Sequence, residues 1–491
     1  PSGRFGITSG SDSVANPNFR ATPFFPEAPY RAQRSEWPRM AEPTPPHFVV
    51  AAARAGRWPR VAAGLASLPV ILQVALGLRI LAADVVDLYV HRAGPDALCI
   101  FPDTKIYWGL ARTIRAGTVF EYVEWSDIPH FALRTPGYPL FLAGCQSIFG
   151  DRTLAVRLVQ ALLGTLSVYL VYRLTWQVAP RITNTQGETI ACQRWTAPVV
   201  AAAITAINPY YLLMSSLLLS EAVFVPLMLA ALWGLSVLWV EPGRPSSPVR
   251  SSNLLPALGS GVAAGMALLV RPSWALFVPA VLASWLYASR RDRTALIAAA
   301  RGAAIFVLGL TLVMSPWWVR NARIYARFVP TALWMGASLY DGLNKNATGA
   351  SDMSFLADRE IWPLDEQDQD AELSRRALAF TREHPAHAMR LALVKFGRYW
   401  CPWPNAEGFR APALALASLA VEIPLFALLA LGGYDRRRDV RAWALLAGPI
   451  VYFCALHLVF ASSVRYRIPG EMPAMGLAAI GWARLLQARG S

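Results

Sequence analysis

The residues that could do chemistry are isolated charges in apolar or aromatic surroundings. Asp103 stands in Phe101-Pro-Asp-Thr-Lys-Ile-Tyr107-Trp-Gly-Leu-Ala111, where Asp103, Tyr107 and Ala111 share one face of a short interfacial helix. Pro102 suits the start of that helix, and an acid in the first turn suits its dipole. Two readings of Asp103 are therefore open, a carboxylate with a task and a helix-terminal acid with none. Arg134 opens RTPGYPLFLA, in which two prolines and a glycine around Tyr138 fix a rigid turn. A guanidinium held there either grips a phosphate through its planar fork or snorkels to lipid headgroups. Glu221 is the only acid between Trp195 and Val240. An ionisable group at the centre of a membrane helix costs roughly 2.5 to 3.5 kcal/mol on insertion scales, so Glu221 faces a cavity or sits near the interface where one begins. Arg271 in LVRPSW, Arg320 after Pro316-Trp-Trp, and Arg465 and Arg467 in SVRYRIP add further cations. Gathered at one membrane face they suit an anionic ligand; lipid headgroups are the plainer alternative.

The elements that must position these residues are membrane helices. The 491-residue chain is 55% hydrophobic and only 16% charged, against an ordinary charged share of about 25%. A soluble protein of this length could not cover so much apolar surface. Apolar stretches near the ~20 residues needed to span a bilayer run roughly 61–83, 152–178, 195–208, 211–240, 254–270, 273–289, 296–318, 411–433, 441–461 and 472–488. The expected fold is an all-α polytopic membrane protein of about ten transmembrane helices. Residues 1–60, rich in Pro, Ser and Arg, read as a disordered cytoplasmic tail with no cleavable-signal pattern, and residues 61–488 as the membrane domain.

Orientation follows from the short loops. Arg181, Arg194, Arg244, Arg250, Arg290, Arg291, Arg293, Arg436, Arg437, Arg438 and Arg441 fall in loops on one side, against Arg271, Arg465 and Arg467 in short loops on the other. The positive-inside rule makes the first side cytoplasmic. Two long segments, 84–151 and 319–410, then lie outside, each expected to carry interfacial helices. The second has an acidic stretch from Asp365 to Glu372 and an amphipathic pattern from Leu373 to Trp400 interrupted near His384-Pro385. No internal repeat is evident.

Several classes are excluded. The net charge of +15 resides almost wholly in arginines, with only Lys105, Lys345 and Lys395 as lysines. They form small groups between apolar segments, not the contiguous stripe that nucleic acid requires. The five cysteines and six histidines make no metal-ligand pattern, so no cofactor is required and a divalent metal has no support in the sequence. Cys99 and Cys401 could pair only if both face an oxidising compartment.

The order of these pieces resembles the GT-C class of polytopic, lipid-phosphate-sugar-dependent glycosyltransferases, which includes protein O-mannosyltransferases, aminoarabinose transferases of lipid A and core galacturonosyltransferases. The resemblance spans about 100–485. It rests on Asp103, Tyr107, Ala111 and Gly117, then RTPGYPLFLA, FG at 149–150, RLVQALLG at 157–164, SE at 220–221, GMALLVRP at 265–272, PWWVRN at 316–321, HP at 384–385 and RYRIP at 465–469. It implies an inverting transfer of a sugar from a polyprenyl-phosphate donor to a hydroxyl of a lipid, glycan or protein acceptor, at the extracytoplasmic face of what is expected to be a bacterial plasma membrane. It also implies Asp103 as catalytic base, Glu221 as second acid and Arg134 as phosphate ligand; from the residues themselves, Arg465 and Arg467 are expected to grip the phosphate with Arg134, and Tyr107, Tyr138, Arg271 and Arg320 to line the substrate site. The chain departs from many members in having Asp103-Thr104 where they pair two acids, which leaves the acceptor open. The rival class is a secondary transporter or flippase of an anionic lipid, which would place its binding groups near the bilayer midplane.

Overall fold

A computed structural model describes residues 67–94, 101–123, 128–179, 191–239, 254–406 and 411–490, and the side chains of 191–196 and 487–490 are not described. The expected tail 1–60, the inside arginines Arg181, Arg244 and Arg250, the side chain of Arg194, and Cys99 lie outside what is described. Among the described residues the chain is all helix, with no strand; Tyr122 and His130 form an isolated antiparallel bridge. In chain order the helices are α1 (Leu68–Arg92), α2 (Asp103–Ala116), α3 (Gly137–Phe149), α4 (Thr153–Val178), α5 (Ala191–Ile207), α6 (Pro209–Ser216), α7 (Glu221–Leu238), α8 (Leu254–Val270), α9 (Phe277–Ser289), α10 (Arg293–Tyr325), α11 (Met335–Gly342), α12 (Glu366–Glu383), α13 (Pro385–Tyr399), α14 (Pro412–Asp435), α15 (Val440–Leu456) and α16 (Val464–Gly490).

The chain is an integral membrane protein. Helices α1, α4, α7, α10 and α14 are each long and apolar enough to cross a bilayer, and α5 with α6 makes a sixth if that bent pair is one span. On α1 the residues Ile71, Ala75, Ala83, Val86 and Val90 form a buried stripe, while Val74, Leu81, Val85 and Leu88 on the other side are exposed. A helix apolar on both faces is stable only where its outer face meets lipid. Helix α7 is central, with two-thirds of its apolar window (67%) buried, whereas α14 is peripheral at 17%.

Among the described residues the ten apolar stretches fall mainly on helices, with shifted limits; residues 61–66 of the first lie outside the description. The stretch 211–240 is not one helix: α6 ends at Ser216, residues 217–220 are non-helical, and α7 starts at Glu221. Pro209 cannot continue α5; Asn208 caps α6 through its side-chain oxygen, which accepts from the Tyr210 N–H at 2.9 Å, and the chain bends 57° there. The stretch 273–289 starts as a helix only at Phe277, after a short 3-10 turn at Pro272–Trp274, and the last stretch begins early, so that RYRIP lies in the first turns of α16. In the segment 319–410, α12 and α13 break at His384-Pro385 as expected.

Buried polar side chains fix the helices around the non-helical link. Arg157 of α4 donates to Asp87 of α1 (3.2 Å) and to the Ser216 carbonyl (3.2 Å), and Gln160 donates to the carbonyls of Ser215 (3.2 Å) and Leu217 (2.6 Å). The Thr104 hydroxyl donates to the Leu218 carbonyl at 2.9 Å. The end of α6 would otherwise bury orphan carbonyls; α4 and α2 satisfy them, and the link that delivers Glu221 is held as a result.

Candidate functional site

Asp103 is the first residue of α2, and the Thr104–Leu218 hydrogen bond ties that helix end to the link preceding Glu221. Glu221 opens α7, where the positive end of the helix dipole favours a carboxylate. The turn carrying Arg134 is brought in by a backbone contact: a Cβ on Gly137 would sit 2.6 Å from the carbonyl carbon and oxygen of Leu269 and 2.8 Å from the Val270 nitrogen. Only glycine lets α3 approach the end of α8 so closely, and Arg271 follows directly.

Arg465, at the start of α16, joins the two acids. Its Nε donates to Glu221 Oε1 at 2.6 Å and its Nη2 to Glu221 Oε2 at 3.4 Å, while Nη1 and Nη2 each lie 3.2 Å from Asp103 Oδ2. Arg134 Nη2 donates to the other Asp103 oxygen at 3.3 Å, and Arg271 Nη1 pairs with Glu221 Oε1 at 2.7 Å. The Ser220 hydroxyl donates to Glu221 Oε2 at 3.3 Å. Glu221 is fully buried, whereas the Asp103 side chain is 34% exposed, so the hollow opens on the Asp103 side. Arg134 stacks on Trp334, 4.6 Å from the ring centre, and Arg465 lies 5.1 Å from that of Phe101. These aromatic faces hold the cations without neutralising them.

Three guanidiniums share two carboxylates, leaving one positive charge in surplus. Burial alone would raise the Asp103 carboxyl, but the Arg465 and Arg134 charges outweigh it and hold it below the ordinary carboxylate range.

Of the remaining site candidates, Tyr107 and Tyr138 wall the site, with Tyr107 hydrogen-bonded to Ser220, whereas Arg320 and Arg467 lie apart from it. Tyr107 is one turn after Asp103 and packs edge-on against Tyr138 at 5.0 Å, and Tyr138, fully buried, donates to Gln160 at 2.9 Å. Tyr138 therefore supports the back of the site. Arg320 donates to the Asn321 side chain (2.9 Å) and the Phe120 carbonyl (3.0 Å), apart from the two acids. Arg467 is fully buried between Glu471 (2.5 Å) and Glu422 (2.6 Å), and Tyr211 donates to Glu471 at 2.8 Å. It binds helices together and is not brought to the Asp103 hollow. Ser220 and Phe101 fall in motifs already noted from the sequence, whereas Trp334, 200 residues from Arg134, carries no sequence signal that would have placed it at the site.

Residues 133–319 match the family described as dolichyl-phosphate-mannose-protein mannosyltransferase. No curated protein sequence matches the chain. Among solved structures, the Archaeoglobus fulgidus oligosaccharyltransferase in complex with Zn and sulfate superposes with a TM-score of 0.50 at 15% identity, covering 86% of this chain and 49% of that one. The apo form of that oligosaccharyltransferase gives 0.50 at 14% identity, covering 84% and 51%. ArnT from Cupriavidus metallidurans in the apo state gives 0.40 at 13%, covering 86% and 78%. The chain spans about half the length of the oligosaccharyltransferase it matches. Its fold is therefore that of the membrane part of the Archaeoglobus fulgidus oligosaccharyltransferase structures, and the mannosyltransferase family pattern runs through residues 133–319.

Proposed function

We propose that the chain is an inverting glycosyltransferase that moves a sugar from a polyprenyl-phosphate donor to a hydroxyl acceptor. The observation that carries this reading is the surplus positive charge where Arg134, Arg271 and Arg465 meet Asp103 and Glu221. One phosphodiester, with its single negative charge, balances that site. The family pattern over residues 133–319 supports a prenyl-linked phosphate as the donor class. An apolar cavity of about 140 Å³ between α6, α14 and α16, lined by Leu213, Met214, Leu414 and Ile468 with Arg465 at its rim, supports a prenyl chain beside the phosphate.

The chemistry then uses groups already in place. The donor phosphate takes over part of the guanidinium fork that Asp103 occupies in the free protein, and as those cations are shared the carboxylate becomes more basic. Asp103 accepts the proton of the acceptor hydroxyl, the hydroxyl oxygen forms its bond to the anomeric carbon, and the bond from that carbon to the phosphate oxygen breaks. The departing polyprenyl phosphate, which gains charge, stays paired with Arg465 and Arg134. Glu221 holds Arg465 and Arg271 in position. No covalent sugar intermediate is needed, unlike in a retaining glycosidase. The donor set does not suit a divalent metal: both carboxylates are already engaged by guanidiniums, and no group of three His, Cys, Asp or Glu side chains gathers among the described residues.

In this reading the membrane domain crosses the bilayer ten times. The starts of α7 and α16 and the end of α8 lie at its outer face, with the hollow open to the periplasm or exterior of a bacterial plasma membrane. Arg320 and Arg467 act outside the donor site, Tyr107 and Tyr138 form its wall, and the acceptor is a lipid, glycan or protein hydroxyl. The test is Asp103→Asn in the purified chain supplied with labelled polyprenyl-phosphate sugars. The expected result is a fall in transfer of about 10² to 10⁴, the usual contribution of a positioned base, with donor affinity within a few-fold of wild type. Undiminished turnover rejects the base, and leaflet exchange of the lipid without any transfer by wild type rejects the enzyme in favour of a flippase.

A further inference from the structure

The acidic stretch within the second outer segment, Asp365 to Glu372, holds a carboxylate that faces away from water. Asp365 caps α12 by accepting from the N–H groups of Gln367 and Asp368, both at 2.9 Å, so the helix end does not need the next acid. Glu366 is 4% exposed. It accepts from the Phe131 N–H at 2.8 Å, from the Ala132 N–H at 3.0 and 3.1 Å, and from the Tyr325 hydroxyl at 2.5 Å. The Ala132 carbonyl in turn accepts from the Leu333 N–H at 2.8 Å. Ala132 is thus fixed from both sides, two residues before Arg134 and beside the strand of chain that delivers Trp334. One turn further along α12, Asp370 accepts from the Gly336 N–H at 2.7 Å, and a Cβ on Gly336 would lie 2.0 Å from the Asp370 carbonyl oxygen. Two carboxylates on one face of α12 therefore hold the two segments whose meeting point is the Arg134–Trp334 stack.

We propose that Glu366, assisted by Asp370, is a positioning residue that sets Arg134 for the donor phosphate, so that the second outer segment governs donor binding in the first. The inference rests on the glycosyltransferase reading above. A buried carboxylate is costly unless its lone pairs are met. Here it can accept from three donors at once, which a neutral amide with a single acceptor oxygen cannot do. Glu366 touches no reacting atom, and its influence passes through the Ala132 peptide to Arg134.

The test compares wild type, Glu366→Gln, Arg134→Gln and the double variant as purified full chains, reading sugar transfer and equilibrium binding of undecaprenyl phosphate. The expected result is a rise of about tenfold in donor KM and in the dissociation constant of undecaprenyl phosphate for Glu366→Gln, from the loss of one buried hydrogen-bond set. Acceptor KM should stay within twofold, and adding Glu366→Gln to Arg134→Gln should cost less than a further twofold. An equal loss in both backgrounds, or one shared by donor and acceptor, overturns the positioning role while leaving the glycosyltransferase reading intact. Wild type that neither transfers sugar nor binds undecaprenyl phosphate overturns that reading and the positioning role of Glu366 with it. If Glu366→Gln does not accumulate as a folded protein, Asp370→Asn takes its place with the same criteria, since it releases only the Gly336 side.

Discussion

Replacing Arg465 by lysine keeps the positive charge and removes the fork, and so separates the two things that residue does. The guanidinium makes four contacts of 2.6 to 3.4 Å, two to each carboxylate. A lysine ammonium is a point charge on a flexible stem and cannot span both acids in that geometry. The contacts to Asp103 are discounted, because that side chain is about a third exposed and solvent screens it. The pair with Glu221 is buried, with Glu221 at 0% and Arg465 at 13% exposure, and a hydrogen bond to a buried charged group contributes about 1.5 to 3 kcal/mol. Losing one such interaction while Arg271 still holds Glu221 gives an expected loss of about 1.5 to 3 kcal/mol, or roughly 13-fold to 160-fold, in kcat/KM for the donor. The assay is transfer of a labelled sugar from its polyprenyl phosphate by purified protein, with the thermal unfolding midpoint recorded alongside. A lysine variant within threefold of wild type would refute the claim that the shared fork organises the site.

Arg467→Gln is expected to act on stability instead: it leaves Glu422 and Glu471 buried without their cation, a change that costs about 3 to 5 kcal/mol. The unfolding midpoint should fall sharply while donor KM of the folded fraction stays unchanged, and a selective rise in donor KM would contradict this. Gly137→Ala forces a Cβ into the α8 backbone at 2.6 Å; overpacking of this kind costs about 1 to 3 kcal/mol, and it should lower both the unfolding midpoint and donor affinity because it displaces Arg134 from Arg271. The pH dependence follows from Asp103, which its guanidinium neighbours hold below the ordinary value of about 3.9. Its basic form is therefore present at and above that value and is lost only as pH falls through the lowered one. Arg134→Gln removes one of the lowering charges, so the acid limb of kcat/KM should move to higher pH, and an unmoved limb counts against Asp103 as the titrating base.

Much of the fold was legible because membrane insertion is decided locally. An apolar stretch of sufficient length is stable in lipid whatever its neighbours do, and the described residues of these stretches accordingly fall mainly on helices. The limits were less legible where polar partners decide them. Residues 217–220 leave the helix because Arg157, Gln160 and Thr104 accept the task of satisfying carbonyls from distant parts of the chain. Within the acidic stretch from Asp365 to Glu372, nothing in residue type marks Glu366 as buried, since its partners are two backbone N–H groups more than 230 positions earlier and the Tyr325 hydroxyl on α10.

By itself the sequence determined that this chain resides in a membrane, that Asp103 and Glu221 are acids in costly surroundings, and that arginines accumulate near them. Which arginines reach which acids was decided only by the tertiary structure. Arg465 and Arg467 are two positions apart on α16 and so point about 200° apart around the helix axis. One meets Asp103 and Glu221 while the other meets Glu422 and Glu471. Spacing fixed the angle between them, but only the packing of α16 against α4, α5, α14 and α15 set the rotation of the helix, and with it which guanidinium faces the hollow.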